Sequence, residues 1–248
     1  MGADRTAVVT GAAGGIGLAV VDRLVAEGVA VVAVDRDEGL LAEAGRRPGV
    51  TTRAVDLGDR HARTRLVAEV DRLDYLVNAA GVVSLVPVAD VTVEEWDRVM
   101  RVNAEALFFL CQGFAERMGA GSAIVNISST AAKTGAIAEA AVYAASKAAV
   151  LSITRSFATH LAPRGVRVNA VCPGIIDTSM GDSVVRELAT RWGEDPERLR
   201  AARASGVPMG REGEPRECAA AIWFLLSEDA SYITGQNLNV SGGQVNWG

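Results

Sequence analysis

Seven short apolar runs alternate with amphipathic stretches along this chain, and that alternation leaves few folds open. The runs are Thr6 to Thr10, Ala30 to Val34, Thr51 to Val55, Leu73 to Asn78, Ser122 to Ile127, Val166 to Val171 and Gln236 to Val240. Between them lie helix-period stretches such as Ile16 to Glu27, Thr92 to Met118, Glu139 to Leu161 and Glu214 to Ser227. Runs of this length bounded by Gly or Asp read as buried strands, and strands that alternate with helices imply a parallel, doubly wound α/β sheet. Right-handed crossovers then place helices on both faces of the seven-stranded sheet. Hydrophobic residues make up 49% of the 248-residue chain and aromatic ones only 5%, a composition suited to small side chains packed over a parallel sheet.

No repeat or linker divides the sequence, so residues 1–248 are expected to form a single domain. The stretch from Ser179 to Gly206 is polar, charged and helix-prone, and it follows the sixth strand's carboxyl end. A lid over a ligand crevice would sit there.

The same sequence excludes several functions. A net charge of -5 without a basic stripe speaks against nucleic acid or an anionic membrane as partner, and leaves a small molecule. No apolar run reaches the roughly 20 residues of a membrane span, and no charged-then-apolar leader precedes the first strand, so a cytoplasmic location is expected. Cys111, Cys172 and Cys218 lie far apart and read as buried small hydrophobes, while His61 and His160 are too few for a histidine-based metal site or triad. No metal is expected.

The first strand runs into Thr10-Gly11-Ala12-Ala13-Gly14-Gly15-Ile16-Gly17, and a helix follows. In that context Gly11 permits a tight turn, Gly14 and Gly15 let the backbone approach a pyrophosphate, and Gly17 lets helix and strand pack closely. The amides around Ile16 at the helix N-terminus then face the anion. Asp35 closes the second strand near the about 20 residues expected for an acid that holds an adenosine ribose. Its charge would repel the 2'-phosphate of NADP, although Arg36 beside it could pair with that phosphate. With no basic residue in the Gly loop, NAD is the expected cofactor.

Tyr143 and Lys147 project from one face of a helix, a turn apart, where an ammonium can favour the phenolate of a phenol whose ordinary pKa is about 10. Taken with the Gly loop, the order Asp56-Leu57, Asn78-Ala79-Ala80-Gly81, Asn103, Ser128-Ser129, Tyr143 with Lys147, Asn169, and Pro173-Gly174 with Thr178 resembles the short-chain dehydrogenase/reductase family from about Thr6 to Gly243. The resemblance implies a Rossmann fold and an NAD-dependent enzyme that interconverts a secondary alcohol and a ketone. NADP-linked 3-oxoacyl reductases and dehydrogenases of small cyclic diols use the same residues, and a non-catalytic NAD-binding regulator is the distant alternative.

By that resemblance Asp56 and Leu57 would meet the adenine, Asn78 to Gly81 would floor the cofactor site, and Asn103 would hold a water that links Lys147 to solvent. Lys147 would bind the nicotinamide ribose and tune Tyr143, the general acid/base. Ile176 and Thr178, after the Pro173-Gly174 turn, would meet the carboxamide. The resemblance further implies a homotetramer. Ser128, Ser129 and Thr130 compete for the substrate oxygen: family spacing back from Tyr143 selects Thr130, while gap-free alignment of Ile124 to Ser129 selects Ser129. Loops absorb an extra residue more easily than strands, so Ser129 is the expected one. The connection from Asp56 to Asp74 is also short, and its helix is expected to lose a turn or two.

Overall fold

The structure, a computed structural model, describes residues 5–135 and 137–247. All seven predicted strands form, and they build one parallel sheet in the order β3-β2-β1-β4-β5-β6-β7. The strands are β1 (Thr6–Thr10), β2 (Ala30–Asp35), β3 (Val50–Ala54), β4 (Tyr75–Asn78), β5 (Ala123–Ile127), β6 (Arg167–Pro173) and β7 (Asn237–Val240). Their ends move from the sequence reading by a residue or two, as when β2 runs on to pair Asp35 with Ala54.

The helices are α1 (Gly15–Ala26), α2 (Glu38–Ala44), α3 (Arg60–Ala68), α4 (Val93–Met100), α5 (Ala106–Ala115), α6 (Ala131–Thr134), α7 (Ala141–Leu161), α8 (Ser179–Trp192), α9 (Pro196–Ser205) and α10 (Pro215–Leu226). The sheet buries both faces because successive side chains alternate. Ala7 and Val9 of β1 pack with Val20, Leu24, Ile222 and Leu226 of α1 and α10. Val8 between them faces the other way, towards Leu107, Leu110 and Phe114 of α5 and Val150 and Leu161 of α7.

Strand order reverses between β1, which leads outward to β2 and β3, and β4, which leads to β5, β6 and β7. Crevices in such sheets open at the carboxyl ends of the strands on either side of that reversal. Thr10 and Asn78 end these two strands in register. Helix ends near the crevice are fixed by side chains: Asp59 caps α3 and Thr178 caps α8, whereas α1 starts at Gly14 with no side-chain cap. Its first amides are open to an anion.

One expectation fails. The stretch Thr92 to Met118 is not a single helix, because a π-turn at Arg101–Glu105 separates α4 from α5. Asn103, at its centre, accepts from the amide of Val82 at 2.8 Å and donates to the carbonyl of Val82 and the hydroxyl of Ser146, both at 2.9 Å. Wide turns of this kind admit one extra residue per turn and recur at functional sites. Here the extra width lets the Asn103 side chain reach the loop after β4. The short β3 to β4 connection does carry a short helix, nine residues in α3.

Phe114 is fully buried against the sheet. Phe114→Ala should lower unfolding free energy by about 3–5 kcal/mol, read from the shift of the urea midpoint at unchanged slope.

Candidate active site

The Gly loop is closed by backbone against backbone. A Cβ on Gly17 would fall inside the Gly11 carbonyl oxygen, and one on Gly11 would meet the Ala80 nitrogen at 2.7 Å. Gly11 and Gly15 hold φ of +67° and +52°, which L side chains rarely adopt. Nothing lies within 4 Å of the position a Cβ would take on Gly14, so the loop keeps open space where its amides emerge. Gly15 rests against the Thr178 side chain, which brings the expected carboxamide-side segment to the phosphate loop. These features fit a dinucleotide's pyrophosphate.

Asp35 is built into the same loop. Its carboxylate accepts from the Ala13 amide at 3.1 Å, and from its neighbours Arg36 and Asp37 at 2.7 and 3.2 Å. A carboxylate has about four lone-pair sites, so it can still accept ribose hydroxyls. Arg36 is exposed, and among the described residues its guanidinium has no partner. Asp56 accepts from the Gly58 amide at 2.8 Å, shaping the turn in which Leu57 is buried.

The four residues from Asn78 to Gly81 divide their work. Asn78 turns away from the crevice into the core, donating to Asn126 at 2.9 Å and to the sulfur of Cys111 at 3.4 Å; Asn126 in turn donates to Thr154 at 3.0 Å. Its side chain ties β4 to β5 and α5, and Asn126 carries the link on to α7, while Ala79, Ala80 and Gly81 stay at the crevice. The Ala80 amide donates to Thr10 at 3.2 Å. A Cβ on Gly81 would lie 3.2 Å from the Lys147 ammonium and 3.4 Å from Asn103 Oδ1.

Tyr143, Lys147 and Ser129 converge at the end of β5. The Ser129 hydroxyl lies close enough to the Tyr143 phenol to favour its ionised form. Ser128 is buried instead and donates to the Lys147 carbonyl at 2.8 Å, as alternation along the strand requires. Thr130 is buried beneath the turn, its amide donating to Pro173 at 2.9 Å. Lys147 is buried, donates to the Ile127 carbonyl at 2.9 Å and lies 5.7 Å from the Tyr143 ring centre.

Burial raises the pKa of Tyr143, opposed by the Ser129 hydrogen bond, and burial pulls Lys147 down to about 8. In the ligand-free arrangement the Lys147 ammonium is directed at the Ile127 carbonyl and lies over the side of the Tyr143 ring. Val82 and Ser146 fix the Asn103 amide, whose Oδ1 accepts one bond and keeps a second lone pair.

At the far side of the crevice, the Gly174 amide donates to Val240 at 2.9 Å, and the Thr178 hydroxyl accepts from Gly181 at 3.1 Å. Ile176 bridges to Gly213. Among the described residues no group of three or more potential ligands could hold a metal, and no helix is long and apolar enough to cross a membrane.

One cluster went unread in the sequence. Arg63 of α3 is buried, donating to the Leu57 carbonyl and to Glu105 of the π-turn, both at 2.6 Å. Arg60 grips the same carboxylate with two bonds of 2.9 and 3.0 Å. The Arg60 and Arg63 hydrogen bonds hold Glu105 down to about 2 against the opposing effect of burial. The loop beside Asp56 is thereby tied to the turn that carries Asn103. Arg63 and Leu66 are the buried residues of α3, and that shared inward face was the available signal.

A family model described as Enoyl-(Acyl carrier protein) reductase matches residues 11–244. The chain is 38% identical over 254 residues to galactitol 2-dehydrogenase (L-tagatose-forming) of Cereibacter sphaeroides, covering 97% of this chain and 95% of that one. It is 39% identical over 246 residues to an uncharacterized short-chain type dehydrogenase/reductase of Sinorhizobium fredii, of whose length it spans 43% and which covers 96% of this chain. Its fold superposes on an actinorhodin polyketide ketoreductase crystallised with NADPH at a TM-score of 0.92, with 34% identity and 98% of both chains covered.

The depressed Lys147 gives a test in the ligand-free protein. Its folded pKa of about 8 lies below the ordinary 10.5, so the unfolded chain binds more protons between those values. Stability contributed at this position therefore rises as pH climbs from about 8 towards 10.5. The unfolding free energy of the wild type minus that of Lys147→Met should rise across that window in urea titrations, since the subtraction removes the buried thiols' own titration.

Proposed function

The chain belongs to the short-chain dehydrogenase/reductase family, and on that premise we propose that it is an NAD-dependent oxidoreductase interconverting a secondary alcohol and a ketone. The observation that carries the reading is the Ser129–Tyr143 hydroxyl contact, beside a Gly loop built for a pyrophosphate. A bound nicotinamide dinucleotide supplies the hydride acceptor or donor.

Gly11, Gly14, Gly15, Ile16 and Gly17 hold the pyrophosphate, Asp35 the adenosine ribose, and the Asp56-Leu57 turn the adenine. Ala79, Ala80 and Gly81 flank the site through their backbone. Pro173, Gly174, Ile176 and Thr178 face the carboxamide, and Lys147 the nicotinamide ribose. Ser129 donates a hydrogen bond to the substrate oxygen. In oxidation Tyr143, as phenolate, takes the alcohol's O–H proton while the C–H hydride departs; in reduction the phenol returns that proton to the forming alkoxide. Burial opposes the phenolate, so the Lys147 ammonium must swing from Ile127 towards the phenol and ribose when the site is filled. Asn103, beside Gly81 and the Lys147 ammonium, holds the water that links Lys147 to solvent.

NAD is favoured by the Asp35 carboxylate. Two like charges about 4 Å apart at intermediate dielectric repel by about 4 kcal/mol before screening. The second reading, an NADP-linked 3-oxoacyl reductase, rests on the unpartnered Arg36 and on the likeness to a ketoreductase crystallised with NADPH. A cytoplasmic homotetramer completes the proposal. Phe108 and Phe109 of α5, 36% and 48% exposed, supply apolar surface for one subunit contact. The segment from Ser179 to Gly206, folded as α8 and α9, acts as the lid.

Tyr143→Phe should lower turnover of secondary alcohols at least about 10²-fold while retaining dinucleotide affinity. Ser129→Ala should lose far more activity than Ser128→Ala or Thr130→Val. Normal turnover in folded Tyr143→Phe defeats the mechanism, whereas absence of wild-type turnover with either dinucleotide returns the chain to a non-catalytic binder.

The cofactor preference is read from steady-state rates with NADH and NADPH. The wild type should prefer NADH, and Asp35→Ala should reduce or invert that preference as Arg36 meets a 2'-phosphate. Equal use of both by the wild type shows that Arg36 outweighs Asp35.

A further inference from the structure

Tyr143 sits on an apolar wall shared with the lid. Leu85 from the loop after β4, Ala140 from the turn before α7, and Val185, Leu188 and Leu199 of α8 and α9 form one buried cluster. Three partly exposed side chains rest on it, Val83, Val184 and Tyr143 itself. The wall next to the proposed proton donor is thus made of hydrocarbon from two sides.

The rim continues this character. Val88 is 61% exposed, Ile137 38% and Trp192 43%. They belong to three segments that meet at the mouth: the turn at Val88–Asp90 packs on that at Ala138–Ala140, and the Trp192 indole donates to Glu139 at 3.3 Å. Three cations on neighbouring elements are engaged within the protein. Arg191 donates to the Leu85 carbonyl at 2.6 Å, Arg98 is paired with Glu95 at 2.7 Å, and Lys133 is drawn to Asn239 at 2.7 Å.

A polyol entering such a mouth would bury hydroxyls without partners, which is costly, whereas a hydrocarbon body would gain from the same wall. We propose that the substrate is a secondary alcohol or ketone with an apolar body several carbons long, lodged against Val83 and Val184, and not a sugar alcohol or ketose. The inference rests on the oxidoreductase reading and narrows it.

The test compares kcat/KM for methyl ketones from butan-2-one to octan-2-one with a ketopentose and a ketohexose, using NADH and NADPH with the intact enzyme. Each methylene that enters the wall should raise kcat/KM about fourfold, and the ketoses should fall at least tenfold below the ketone of equal carbon number. Val83→Ser and Val184→Ser should each flatten the chain-length slope; an equal loss for every substrate means the residues act only in folding and overturns the assignment. A flat slope in the wild type, or ketoses matching the alkanones, overturns it as well.

A parallel titration follows tryptophan fluorescence with octan-2-ol and with a hexitol, in the wild type and in Trp192→Phe. If no ketone turns over with either dinucleotide, the oxidoreductase reading fails. A saturable octan-2-ol response that depends on Trp192, with none from the hexitol, then still upholds the apolar mouth. Absence of that response removes it.

Discussion

The contact between Gly17 and the Gly11 carbonyl is the constraint from which the rest of the site follows. It lets α1 start directly above the end of β1, at a distance that no side chain would permit. From there the loop fastens the neighbouring strands. The Ala12 amide donates to Val34 and the Ala13 amide to Asp35 on β2, while the hydroxyl of Thr10 accepts from Ala80 after β4. A backbone turn thus becomes the joint of three strands. It is also the place where the uncapped amides of α1 emerge, so packing and anion recognition share one device.

A second set of bonds positions the chemistry. The chain Asn78, Asn126 and Thr154 crosses β4, β5 and α7 within the core, and Ser128 adds a bond from the end of β5 to the carbonyl of Lys147. Paired buried polar groups fix orientation more strictly than apolar contacts do, and of Asn78 only the amide nitrogen, not its Oδ1, is paired. Here they hold α7 against β5 so that Ser129 and Tyr143 meet. Burial of Lys147 is the opposing cost, visible in its lowered pKa.

Much of this was legible in the sequence. Strand periodicity and Gly spacing report local backbone geometry, which is why β1, the loop and α1 could be read almost to the residue. The choice of Ser129 over Ser128 and Thr130 came from placing the extra residue in a loop, with strand alternation separating the neighbours, and Ser128 does turn away, to the Lys147 carbonyl. The break at Asn103 was not legible, because it depends on Val82 and Ser146, remote in sequence. Arg63 was missed for a similar reason. A charge on a short helix reads as solvated until its partner, Glu105, is known.

That pair has a bearing on how the chain can change. Removing one member of a buried ion pair leaves a stranded charge, at about 3–5 kcal/mol, whereas replacing both by apolar groups is often neutral. Arg63 is the deeply buried member, and it also holds the carbonyl of Leu57. Loss of Glu105 strands the buried Arg63 charge, whereas loss of Arg63 leaves the carboxylate with Arg60, so the cost of breaking the pair is one-sided. Through Arg63 the turn after β3 is fastened to the turn that carries Asn103, so that a change in the short α3 is felt at a turn more than thirty residues away.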